Sequence, residues 1–160
     1  MIEVRVEGLL LDDANNSPVV LLREIDGLRV LPIFVGALEA SAIAYAVEKA
    51  TFARPLTLDL MRLLVEGLNG VIRRVVVTRI ENDVYYAEVV LESGGQVTAV
   101  DARPSDSIGL ALRAGAPIFV ADGVMDAAGQ LVSTDDEERL RELRQRTRSL
   151  KPEDFGSYEV

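Results

Sequence analysis

Val71-Ile72-Arg73-Arg74-Val75-Val76-Val77-Thr78-Arg79-Ile80 is the stretch on which the fold turns. It is rich in β-branched residues and holds neither glycine nor proline, which predicts a strand. Glu81-Asn82-Asp83 follows, then a second apolar run from Val84 to Leu91. Ser93-Gly94-Gly95 precedes a third from Gln96 to Val100. Connections this short can join only antiparallel neighbours, so the segment predicts a three-stranded meander. Upstream, the same pattern occurs once before. Ile2, Val4 and Val6 alternate ahead of Leu9-Leu10-Leu11, and Asp12 to Pro18 is a polar turn. Val19 to Leu22 resumes the extended run, and Asp26-Gly27 has the composition of a two-residue hairpin turn. Val30 to Val35 is the third strand of this set. It is nearly all apolar and therefore expected at the centre of the sheet, although Pro32 supplies no ladder donor.

Between and after the meanders the period becomes helical. Leu38, Ala42, Tyr45 and Ala46 recur at helical spacing, predicting a helix from Ala37 to about Ala50. Thr51 to Pro55 forms a loop into a second helix. There Leu60, Leu63, Leu64 and Leu68 are expected as the buried stripe, with Arg62 and Glu66 paired on the wet side. Gly67 and Gly70 mark its end. A third helix is expected from Asp106 to Arg113, then a short strand, Pro117 to Val120. Pro-Ile-Phe-Val occurs at 32–35 and at 117–120, and Arg-Pro precedes a helix at 54–55 and at 103–104. Three strands and a helix, twice over, fit either an internal duplication or chance on a short alphabet. The fold class is α+β: a mixed, largely antiparallel sheet with packed helices.

The division expected is a domain over residues 1–130 and a C-terminal helix and tail over 131–160. Thr134 is the expected N-cap, with Asp135 to Glu138 in the first turn and Arg144, Arg146 and Arg148 in the last. Leu140, Leu143 and Leu150 give this helix a narrow apolar stripe, suited to light packing on the domain or on a partner subunit. Pro152 to Phe155 resembles a docking segment, and equally a frayed end.

Composition narrows the chemistry. The 160 residues include no histidine and no cysteine, so histidine-based triads, thiol catalysis and disulfides are excluded within this chain. Any catalyst must be built from carboxylates, arginines, hydroxyls, tyrosines, Lys49 and Lys151, or a metal held by oxygen. Net charge is −9, from 17 basic and 26 acidic residues, which argues against holding a long DNA duplex. Fifteen of the basic residues are arginines, which leaves local anion binding open. No stretch approaches the ~20 apolar residues of a membrane span, and Met1 to Arg5 lacks a secretory signal pattern. A cytoplasmic location is the simplest expectation.

Two segments concentrate functional side chains: Arg54-Pro55-Leu56-Thr57-Leu58-Asp59 and Asp101-Ala102-Arg103-Pro104-Ser105-Asp106. Thr57 and Ser105 stand where N-caps are expected, and Asp59 and Asp106 suit the positive helix ends. The arginines are left over, because a guanidinium beside a helix N-terminus meets like partial charge. Arg54 and Arg103 either pair with Asp59, Asp101 or Asp106 as structural clamps, or wait for an anion such as phosphate. In the second case the neighbouring acids can hold Mg²⁺ or Mn²⁺ through oxygen. Charge balance alone favours the clamp. Glu39, in the first turn after Phe34-Val35-Gly36, is a third candidate acid. Tyr45, Tyr85 and Tyr86 are expected as core or sheet-face residues.

These segments, with Pro32-Ile33-Phe34-Val35-Gly36 ahead of Glu39-Ala40 and with Ala116-Pro117-Ile118-Phe119-Val120, resemble the bifunctional nuclease domain family over about residues 2 to 130. Asp101-Ala102-Arg103-Pro104-Ser105-Asp106 is the most specific block. The resemblance implies an α+β domain that associates as a homodimer, and hydrolysis of DNA and RNA. Asp59, Asp101 and Asp106 are then the candidate catalytic and metal-binding carboxylates, with Glu39 beside them. Arg54, Arg103, Thr57 and Ser105 are the candidate phosphate contacts, and single-stranded DNA or RNA is the implied partner. Where the family pattern carries histidine between the threonine and the aspartate, this chain has Leu58. The competing reading is a non-enzymatic dimeric module that binds a small anionic ligand or a protein. A nucleic-acid-binding regulator without cleavage fits the net charge less well.

Overall fold

The computed structural model describes residues 1–149, with side-chain surroundings given for most of them. The chain folds as expected into an α+β domain. Strands β1 (Ile2–Leu11), β2 (Pro18–Glu24) and β3 (Arg29–Phe34) form the first antiparallel meander. Helices α1 (Ala37–Val47) and α2 (Thr57–Gly67) lead to the second, made of β4 (Gly70–Glu81), β5 (Val84–Ser93) and β6 (Gln96–Ala102). Helix α3 (Pro104–Ala114), strand β7 (Ile118–Val120), helix α4 (Asp122–Ala128), strand β8 (Gln130–Leu131) and helix α5 (Thr134–Ser149) complete the order.

One eight-stranded sheet runs β6-β5-β4-β7-β1-β2-β3-β8. The three-residue β7 joins the meanders, parallel to β4 and antiparallel to β1. The second Pro-Ile-Phe-Val therefore lies at the sheet's centre, while the first, in β3, lies next to an edge. That corrects the expectation of a central β3. Its outer neighbour β8 pairs only with Arg29 and Val30. Beyond them no strand among the described residues pairs with β3, and there the missing donor of Pro32 is tolerated. The Asp26-Gly27 turn is also looser than expected. Residues 25–28 separate the strands, and the Glu24 carboxylate closes the loop by accepting from the backbone N–H and the guanidinium of Arg29.

Every residue of β2 is buried, because both faces of the first meander are covered. Val20 and Leu22 meet Leu31, Ile33, Ile43 and Ile108 on one side. On the other, Val19, Leu21 and Val30 meet Leu140 of α5, and Arg23 pairs with Glu7 and with Glu137. Ser133, not Thr134, caps α5: its hydroxyl and N–H exchange hydrogen bonds with Asp136. The expectations for the side chains of Leu143, Arg144, Arg146 and Arg148, and for Leu150 and residues 152–155, lie outside what is described. The second meander differs between its faces. Val75, Val77 and Val89 pack into the core, whereas the outer face carries Arg73 paired with Glu92 and Arg79 stacked 3.9 Å over Tyr86.

Helix α2 departs most from expectation. Arg62 and Glu66 pair at 2.6 Å as predicted, but Leu60, Leu63, Leu64 and Leu68 are 50%, 39%, 57% and 77% exposed. Leu58 alone on the helix is buried, with Val65 half-buried against the core. The periodicity located an apolar arc correctly, but only one margin of that arc meets the core.

Candidate active site

The α3 start is built by Arg103 and Pro104. Arg103 occupies the cap position in extended conformation, and Pro104 takes the first helical position, where its fixed φ suits a helix and no N–H is needed. Ser105 is thus inside the helix and caps nothing. Likewise Leu56, not Thr57, precedes α2, and its N–H donates to the Asp59 carboxylate at 2.9 Å. Both hydroxyl caps expected from sequence are displaced by one or two residues, because the proline sets where α3 begins and the carboxylate sets where α2 begins.

Arg103 is the hub of the site. Its guanidinium grips Asp106 through two hydrogen bonds of 2.7 and 3.0 Å. Its remaining nitrogen reaches Glu39 of α1 at 2.9 Å. The hydrogen bonds and charge of Asp106, followed by those of Glu39, raise its pKa further above the ordinary arginine value. Glu39 folds back over Gly36, where an added Cβ would lie 2.2 Å from its carboxylate oxygen and would push that side chain off its present position. The starts of α1 and α3 therefore converge on one arginine flanked by two acids.

A cleft of about 360 Å³ opens beside them. Its polar wall is Glu39, Arg103 and Ser105; its apolar wall includes Ile33, Phe34, Val84 and Tyr85. Ser105 is 8% exposed, and among the described residues its hydroxyl has no hydrogen-bond partner. Burial and the charge of Asp83 raise the pKa of the Tyr85 phenol, keeping it a neutral donor. Phe34, 60% exposed, and Tyr85 were not singled out as site residues from sequence; the Pro-Ile-Phe-Val-Gly block was the available signal.

The other predicted residues lie apart from this cleft. Asp59 pairs with Arg113 at 2.8 Å, and Arg113 also donates to the carbonyls of Gly109 and Ala42 at 2.9 Å each. Arg113 lies seven residues along α3 from Asp106, about 10 Å by helical rise. Arg54 and Thr57 are exposed near the start of α2. Asp101, exposed on β6, faces a second, apolar groove that Asp106 also borders. Among the described residues no three carboxylates lie close enough to hold a metal together. Glu39 and Asp106 are the acids brought to one cation. Two carboxylates suit Mg²⁺ or Mn²⁺, which fill the remaining positions with water and phosphate oxygens. Leu58, at the family's histidine position, is 8% exposed and packs on Gly109 of α3, outside the cleft.

The fold and this cleft define an α+β domain that presents an arginine between two acids at converging helix starts. The chain belongs to the bifunctional nuclease domain family, matched over residues 20–133. An uncharacterized protein of Mycobacterium tuberculosis is 36% identical across 96% of this chain and 97% of its own length. Bifunctional nuclease 1 of Arabidopsis thaliana is 30% identical over 71% of this chain and 36% of the plant protein. Bifunctional nuclease 1 of Oryza sativa subsp. japonica is 28% identical over 69% and 34%. The chain thus spans about a third of the length of these plant relatives. No helix among the described residues is long and apolar enough to cross a membrane.

Proposed function

We propose that this chain is a nuclease that hydrolyses phosphodiester bonds in single-stranded DNA or RNA, working as a homodimer. The observation that carries the reading is Arg103, 65% exposed at a helix start with its fork held by two acids. A substrate phosphate can replace those acids, because it offers the same oxygen geometry with the helix N–H groups behind it. Ser105 then donates its hydroxyl to a phosphate oxygen. Glu39 and Asp106, released from Arg103, are the residues that would hold Mg²⁺ or Mn²⁺, which supplies charge neutralisation and an acidified water. A carboxylate oxygen of Glu39 or Asp106 that is not engaged in holding the cation would accept the proton of the attacking water. The water oxygen bonds to phosphorus, the bond from phosphorus to one ester oxygen breaks, and that oxygen leaves with a proton from solvent. The absence of histidine makes a carboxylate the natural base.

The test is cleavage of a single-stranded oligonucleotide with Mg²⁺ or Mn²⁺, comparing the wild type with Asp106→Ala and Glu39→Gln at equal purity. Loss of turnover in both variants supports the reading; equal residual activity in all three would assign the cleavage to a contaminant. A second reading is favoured by the closed Arg103–Asp106–Glu39 arrangement, which already satisfies the arginine. It is a dimeric module that binds a small anion or a protein without chemistry. It predicts thermal stabilisation by inorganic phosphate or a nucleotide without turnover.

A further inference from the structure

The cleft beside Arg103 has an apolar wall that hydrolysis itself does not use. Its volume of about 360 Å³ lies at the small end of ligand pockets. Three chemistries meet in its lining. Arg103 and Ser105 offer donors, Asp83 adds a carboxylate, and Ile33, Phe34, Val84 and Tyr85 are apolar or aromatic.

The aromatic residues differ in how they are held. Tyr85 packs partly against the core, so its ring is a fixed surface, and its phenol stays neutral. Phe34, the last residue of β3, is 60% exposed, and among the described residues no other ring touches it. An exposed ring of this size forgoes burial that a ligand can restore. Asn82 and Asp83 both have positive φ, 50° and 62°, the conformation of a tight two-residue hairpin turn. That turn fixes exposed Asp83 and Val84 at the cleft.

Charge and shape together select the occupant. Its anionic part goes to Arg103 and Ser105, because Asp83 repels a second anion. The remainder must be neutral, flat enough to lie on an aromatic ring, and able to donate to Asp83, which when ionised can only accept. A nucleotide has this order: phosphate, sugar, then a base with a π face and N–H groups on its edge. We infer that Phe34 and Tyr85 form a subsite for one unstacked nucleobase next to the phosphate held by Arg103. The inference rests on the nuclease reading for its phosphate and deepens it by assigning a task to the apolar wall. A base inside a duplex keeps its faces covered by its neighbours and must leave the stack to reach Phe34. Every base has a π face, so this wall selects single strands rather than a sequence.

Binding of a short single-stranded DNA carrying one 2-aminopurine tests this, measured in EDTA so that no cleavage is needed. Stacking on a ring quenches the fluorescence of this base, a signal that a merely structural Phe34 does not produce. The wild type is expected to bind and quench. Phe34→Ala is expected to lose the quench and about 10-fold in affinity, or ~1.4 kcal/mol, as for a base stacked on an aromatic side chain. Phe34→Trp should restore both, which guards against a folding defect. An abasic strand, measured by competition, should bind the wild type about 10-fold more weakly and bind Phe34→Ala equally weakly. Phe52→Ala removes a ring that is 42% exposed against Tyr45, outside the cleft, and is expected to change nothing. A wild type that does not bind, an unchanged Phe34→Ala, an abasic strand bound as tightly as the normal one, or an equal loss in Phe52→Ala would each overturn the subsite. Turnover with Mg²⁺ keeps the two readings apart. Quenching that depends on Phe34 without cleavage sinks the nuclease reading alone, whereas cleavage with binding indifferent to Phe34 sinks the subsite alone.

Discussion

The starts of α2 and α3 carry nearly the same words, Arg-Pro followed by a hydroxyl residue and an aspartate, yet the fold gives them opposite tasks. At α2 the aspartate turns inward. Asp59 accepts from the Leu56 backbone and from Arg113, which is 7% exposed and donates onward to two helix carbonyls. The local arginine, Arg54, stays in solvent. At α3 the aspartate pairs with its own arginine, and that pair sits in the open beside a cleft. The comparison teaches that nearly the same words can build a pair buried into the fold or a pair left open beside a cleft, according to where the remaining donors are drawn. Arg113 turns its remaining donors to carbonyls of the same fold with its side chain 7% exposed; Arg103 turns its remaining nitrogen to Glu39 with its side chain 65% exposed beside the cleft.

The sharpest way to break this comparison is to remove each arginine in turn. Arg113→Ala leaves Asp59 half-buried without its cation and strips the carbonyls of Gly109 and Ala42 of a donor. It is expected to cost about 3 kcal/mol or more, measured by urea denaturation, as for other broken buried pairs. Arg103→Ala is expected to change stability by less than about 1 kcal/mol, since the pair is largely exposed. Its effect should appear in turnover instead, as a fall of about 100-fold, or roughly 2.7 kcal/mol of transition-state stabilisation. Cleavage untouched by Arg103→Ala, or a stable Arg113→Ala, would erase the distinction.

Much of the fold was legible in residue order. Both meanders, helices α1, α2, α3 and α5, and the paired Arg62 and Glu66 follow from periodicity and turn residues acting within a few positions, whereas the short α4 and β8 were not read. The structure-dependent features are those that need a partner far along the chain. β7 is three residues long, and its central place comes from pairing with β1 and β4, more than 40 residues upstream. Arg113 looks like an ordinary dipole complement in the last turn of α3; its partner Asp59 is 54 positions away. The leucines of α2 show which arc is apolar, but not whether the same chain covers it. The arginine between two acids was half legible. Arg103 with Asp106 was predictable from a three-residue spacing, whereas Glu39 joins only because α1 and α3 start at the same place.

Leu58 sharpens the comparison at smaller scale, because it packs where the two helices meet. An added Cβ at Gly109 would lie 2.6 Å from a Leu58 methyl, 3.6 Å from the Arg113 guanidinium and 3.7 Å from Ile43. Gly109→Ala gains up to about 1 kcal/mol in helix propensity but overpacks this contact, at about 1–3 kcal/mol. A net loss of about 1 kcal/mol is expected by thermal or urea unfolding. Adding Leu58→Ala removes the colliding methyl, so the double variant should lose at least about 0.5 kcal/mol less than the two single losses combined. If Gly109→Ala alone stabilises the protein, Leu58 has swung aside without cost. Position 58 would then have room for a larger, polar ring such as the family's histidine, and its separation from the cleft would no longer follow from packing.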